Sequence, residues 1–165
     1  MIKYKLITDF RSLETEKRWE VVADEASGIR SSSELTVTPA NTALFEGELS
    51  IENNGASASV RTHVGDLFLD MFRGMAIRVK GDGKIYRFLI GTGDTHEGSA
   101  YHATFATQQG AWITIHLPFS KFEGSGNPAP SLDPTNICQI GFMIADRQPG
   151  PFSLEIEWIK AYLDY

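Results

Sequence analysis

The chain of 165 residues carries 21 acidic against 15 basic residues, a formal charge of −6. It would be repelled by a phosphate backbone unless its cations gathered on one face, so nucleic acid is not the expected partner. With 42% hydrophobic and 22% charged residues it has the make-up of a globular protein, long enough to bury roughly two thirds of its unfolded surface. Cys138 is the one cysteine, which excludes an intramolecular disulfide and a cysteine-rich zinc site.

The opening MIKYKLITDFRS lacks the apolar core and cleavage site of a secretory signal, and no apolar run reaches bilayer length. A cytoplasmic chain of bacterial source, without membrane insertion, is expected. Around residues 10–17 a turn or two of helix is predicted, then strands near 19–22, 33–38, 43–51 and 57–63, the third interrupted by Gly47. The stretch 67–73 could also carry a turn or two of helix, and neither stretch sustains a 3.6 period long enough to stand alone. From there period-two patterns follow in series: Met75, Ile77, Val79; Tyr86, Phe88, Ile90; Tyr101, Ala103, Phe105; Ile113, Ile115, Leu117. Each marks a strand with one buried face, because successive side chains point to opposite sides of a sheet. Two glycines flank Asp82 between the first two of these, and their tolerance of positive φ predicts a tight hairpin over 80–84.

Near the C-terminus, Cys138, Ile140, Phe142 and Ile144 alternate inward, and so do Phe152, Leu154, Ile156 and Trp158, with Gln148-Pro149-Gly150-Pro151 as turn chemistry between them. Cys138 is then read as a small buried hydrophobe. After Trp158 the phase changes to Ile159, Ala161 and Leu163, which calls for a bulge or bend near Trp158. Nine or ten short strands with regular turns, and no dividing linker, describe one all-β domain over 1–165, an antiparallel β-sandwich or jelly roll.

Catalytic constellations are sought without success. The histidines His63, His96, His102 and His116 have no metal-binding spacing, no Gly-x-Ser-x-Gly elbow is present, and Gly91-Thr92-Gly93-Asp94 lacks the dinucleotide fingerprint. Glu155 and Glu157 lie two apart on one strand face, not across a cleft as a glycosidase requires. No enzyme and no cofactor are expected. The outward phase of the middle strands carries Arg61, Arg78, Lys80, Arg87, His102, Thr104 and His116. If these strands share a sheet, they form one cationic face suited to carboxylate recognition. Trp112, in phase with His116, is the best candidate for a sugar-stacking platform.

Four strings, ELSIENNGASASVRT, IRVKGDGKIYRF, WITIHLPFSKF and ICQIGFMIADRQPGPFSLEIEWIKAY, resemble in order and spacing the complex I intermediate-associated protein 30 family, from Trp19 to Tyr162. The resemblance implies a galactose-binding-domain-like sandwich, and a protein-binding module with an assembly-factor or chaperone-like role. A carbohydrate-binding-module-like domain is the alternative, with carbohydrate as ligand. Sandwiches of this shape often hold a structural calcium ion, for which Asp9, Asp24 and Glu157 are the candidate oxygen ligands.

Overall fold

Alternating burial along the chain gives eleven strands in a computed structural model that describes residues 1–23, 32–49, 57–93, 101–124, 131–145 and 148–164. They are β1 (Ile2–Asp9), β2 (Trp19–Ala23), β3 (Ser32–Val37), β4 (Ala43–Leu49), β5 (Ala58–Leu67), β6 (Gly74–Lys80), β7 (Ile85–Thr92), β8 (Tyr101–Ala106), β9 (Trp112–Pro118), β10 (Ile137–Ile144) and β11 (Gly150–Asp164). A six-stranded sheet runs β3-β4-β11-β6-β9, with β1 also paired to β11; a five-stranded sheet runs β2-β5-β10-β7-β8. The 15-residue β11 is long enough to pair with β4 through its first half and β1 through its second, while β6 lies along its other side.

The two sheets enclose one core. Phe45, Ile77 and Ile156 meet Tyr86, Phe88 and Phe142 from the opposite sheet, all of them fully buried. The Phe88 and Phe142 rings pack edge to face at 5.2 Å. Each such side chain contributes about 1.5–3 kcal/mol of transfer free energy before its ordering entropy is counted.

The first predicted helix is present as α1 (Leu13–Arg18), entered through Ser12, whose hydroxyl accepts from the Glu14 amide at 3.3 Å. Glu14 and Glu16 in its first turn and Lys17 and Arg18 in its last oppose the helix dipole. The second does not form. β5 continues to Leu67, and the amides that a helix would use bond elsewhere: Leu69 to the Pro134 carbonyl and Arg73 to that of Tyr162, both at 2.8 Å. Leu69 is drawn into the core while Phe68 and Met71 stay in solvent.

One connection also differs from expectation. The Gly81-to-Lys84 segment is not a hairpin, because β6 and β7 belong to different sheets; it is an arch across the sandwich. Gly83, at φ 89°, supplies the left-handed residue, and the Asp82 carboxylate accepts from the Lys84 amide at 3.1 Å, the Tyr86 hydroxyl at 3.0 Å and the Ser153 amide at 2.9 Å. The turn at 148–151 likewise carries the chain between sheets, from β10 to β11, with Gly150 at φ 98°.

Bulges relocate two residues that were read as inward. The β11 register shifts between Ile156 and Trp158, so Glu157 and Trp158 both escape the core and Ile159 takes the inner place. The shift is the expected one; Trp158 lies on its outer side. A similar shift between Ile137 and Gln139 leaves Cys138 half-buried at a bulge, with Ile137 as the core residue. Strand β1 has no counterpart in the sequence-based elements, because Ile2, Tyr4 and Leu6 alternate toward solvent, each 43–51% exposed.

Candidate ligand-binding cleft

The sheet assignments divide the expected cationic face. Arg78 and Lys80 on β6 and Trp112 and His116 on β9 lie on the six-stranded sheet, whereas Arg61 on β5, Arg87 on β7 and His102 and Thr104 on β8 lie on the five-stranded one. The two groups point away from each other on opposite outer faces of the sandwich, so the single patch does not exist. Alternation located every one of these side chains outward but carried no information on sheet membership.

On the five-stranded face, Arg61 lies opposite Gly141 and its stem packs in the space a Cβ there would fill. His102 sits 3.9 Å from the Glu123 carboxylate, and Thr104 lies opposite Arg87. The six-stranded face is more elaborate. Lys80 reaches Glu155 at 3.3 Å and lies over the Trp112 ring at 5.4 Å from its centre; Arg78 approaches Glu157 at 3.6 Å, donates to the Thr114 hydroxyl at 3.0 Å and flanks the same ring. Glu155 is held further by the Thr42 hydroxyl, which donates to it at 2.7 Å.

Across β11, the Lys160 ammonium rests 4.1 Å from the centre of the Trp158 ring and 5.7 Å from that of Tyr4. Tyr4 and His116 are hydrogen-bonded at 2.8 Å, and the His116 ring meets Tyr162 edge to face at 4.9 Å. Burial pushes the Tyr162 phenol above its ordinary pKa, with the nearby Arg73 charge opposing.

That hydrogen bond shows the shape of the face. Tyr4 on β1 and His116 on β9 are separated by β11 and β6. Three strand spacings of about 4.8 Å would hold side chains standing on a flat sheet roughly 14 Å apart. Their rings are 5.9 Å apart, so this face is concave. Gly74 and Ala76 on β6, beneath the rings, leave the room for them to converge. Below this aromatic bridge the concavity opens into a cleft of about 910 Å³, walled by Trp112 and Trp158 and floored by Lys80, Glu155, Glu157 and Lys160. The sequence reading found Trp112 and Lys80 but not Trp158, Lys160 or Tyr4; the phase change after Trp158 was the signal available for the first two.

Asp9 and Glu157 both line this cleft, but each faces an arginine: Arg11 at 3.8 Å from Asp9 and Arg78 at 3.6 Å from Glu157. Asp24 lies outside the described residues, and among those no group of three or more histidine, cysteine or acidic side chains is placed to hold a metal ion. None of their helices is long and apolar enough to cross a membrane.

Two antiparallel sheets packed around one core make a galactose-binding-like β-sandwich, the fold of carbohydrate-binding modules. A family 11 carbohydrate-binding module from Clostridium thermocellum, solved with a β-1,3-1,4-mixed-linked tetrasaccharide, superposes at TM-score 0.70 with 19% identity, over 96% of this chain and 94% of its own. A family 11 module of a cellulosomal cellulase from the same organism gives 0.72 at 19% identity, covering 98% and 95%. An agarase gives 0.69 at 10% identity, with 98% of this chain matching 25% of that one. By sequence the chain belongs to the complex I intermediate-associated protein 30 family, whose model matches residues 8–156. The mitochondrial complex I intermediate-associated protein 30 of Mus musculus is 28% identical over 190 residues, covering 99% of this chain. The chain spans 58% of that relative's length.

Proposed function

We propose that the chain is a non-catalytic protein-binding module with an assembly-factor or chaperone-like role, and that its partner docks on the concave face of the six-stranded sheet. The role is supported by family membership. The location is carried by one observation: Trp112, Trp158, Tyr4, Arg78 and His116 are gathered there on rigid strands. Tryptophan, tyrosine and arginine are the residues that most often dominate interface energy. A ligand-binding domain of the carbohydrate-binding-module type is the alternative, favoured by the concavity of that face.

Capture of partners from native lysate, read by mass spectrometry, tests the first reading face by face. The double variant Arg78→Ala/Trp112→Ala is expected to lose respiratory-chain partners. Truncating a central interface residue costs about 2 kcal/mol, roughly thirtyfold in affinity. The variant Arg61→Ala/Arg87→Ala, altered on the opposite face, is expected to retain them. Equal capture by the two would remove the assignment of the site, and capture of no respiratory subunit by the parent would remove the role.

A further inference from the structure

We infer that the cleft between Trp112 and Trp158 is a site for a neutral saccharide chain lying across the strands, an inference that rests on the ligand-binding alternative above. Three features of the cleft select this chemistry. Its aromatic walls stand on different strands, Trp112 on β9 and Trp158 on β11, with β6 between them. Trp112 shares a row with Lys80 and Glu155, and Trp158 shares the next with Arg78, so a ligand touching both rings crosses β6. Flat indole faces accept the apolar C–H face of a pyranose, here in exchange for the cations that lie over them, Lys80 at Trp112 and Lys160 at Trp158.

The polar lining is balanced. Arg11, Lys80 and Lys160 supply three cations and Asp9, Glu155 and Glu157 three carboxylates. Most are already paired: Lys80 with Glu155, Arg11 with Asp9, and Glu157 with the neighbouring Arg78. A charged ligand would have to break one of these pairs, whereas hydroxyl groups can add to them, donating to the carboxylates and accepting from the cations. Asn41, exposed beside the cleft, offers a neutral donor and acceptor of the same kind.

An extended peptide adding as a strand, as distinct from a folded protein surface, is the less favoured occupant of the cleft. An extended chain binds a sheet through an open backbone edge, but β6 and β11, which form the floor, are paired along both sides. Lys160 adds a gate: its ammonium lies over Trp158, so a sugar stacking on that face displaces it.

The test is calorimetric titration of the intact chain, with tryptophan emission as a second readout, against a panel of neutral α- and β-linked gluco- and galacto-tetrasaccharides, with tri-galacturonate as the acidic comparison. At least one neutral tetrasaccharide should bind, and Trp112→Ala and Trp158→Ala should each weaken it at least tenfold without moving the melting temperature. If either variant unfolds, the corresponding Leu substitution keeps apolar bulk without an aromatic face and should give the same loss. Lys160→Ala, which uncovers Trp158, should bind as tightly as the parent or more tightly. Silence across the neutral panel, tighter binding of tri-galacturonate, or binding that survives both tryptophan substitutions would overturn the inference. Since partner capture is measured separately, a failed titration leaves the protein-binding reading standing, and failed capture leaves the saccharide site standing.

Discussion

Tyr86 shows what a single residue does in this fold. Its ring is fully buried and its hydroxyl donates to Asp82, so one side chain ties the inter-sheet arch to the core. Burial, then the neighbouring Asp82 charge and their hydrogen bond, drive the phenol's pKa far above its ordinary value. Below pH about 10 both native and unfolded chains keep this proton. Above it the unfolded chain loses the proton and the native chain does not, so stability falls by about 1.4 kcal/mol per pH unit from this group alone. Urea denaturation at a series of alkaline pH values should show that slope, and Tyr86→Phe should reduce it by the same amount. An unchanged slope in the variant would mean that Tyr86 ionises in the native state. The sequence revealed the inward phase of Tyr86, but Asp82 was legible only as turn chemistry. Its bond to the Ser153 amide joins residues 71 apart, a distance at which local pattern is silent.

At the scale of elements, the bulge in β11 is what opens the site. It turns Trp158 and Lys160 outward while Ile159 and Ala161 take the core places that strict alternation would have denied them. Deleting Glu157 removes the extra residue and leaves Ile156 opposite Val79, Trp158 opposite Arg78 and Ile159 opposite Ile77, so every following side chain keeps its face. An alanine inserted after Trp158 would instead turn Ile159 outward and Lys160 into the core, and burying a lysine without a partner is among the costliest changes a core can suffer. The insertion variant should melt far below the deletion variant in a thermal scan. Glu157→Gly keeps the extra residue and loses only a partly exposed ion pair, so its stability should lie within about 1 kcal/mol of the parent. An insertion variant that melts like the parent would show that the strand can slip without penalty. The same element explains a failure of sequence reading. Two glycines about Asp82 supply the backbone dihedrals of a turn, and hairpins and arches both use them. Which sheet receives the next strand is decided by pairing with β9, β10 and β11, all distant in the chain.

For the whole molecule the relevant quantity is where the charge lies. The formal −6 made nucleic acid an unexpected partner at the level of composition, yet the total says little about the cleft. Part of the excess sits on the outer face of β3 and β4, where Glu34 is directly opposite Glu46 and Glu48 follows on the same side. The cleft lining is itself balanced. Alternation could establish outwardness and thereby most of the sandwich, but the curvature that brings Tyr4 to His116, and with it the cleft, arises from strands far apart in sequence. This distribution predicts different salt responses for the two kinds of ligand. The screening length falls from roughly 30 Å at about 0.01 M salt to roughly 3 Å at about 1 M. A protein partner steered by the acidic flank should associate more slowly as salt rises, because long-range complementarity acts mainly on the encounter rate. A neutral saccharide feels no such field, and its dissociation constant should change less than about twofold over the same range. Stopped-flow association with the captured partner and titration of the bound tetrasaccharide, each in a salt series, measure the two. A steep salt dependence in the saccharide titration would mean that the ion pairs lining the cleft are broken on binding, and that the ligand is recognised by charge.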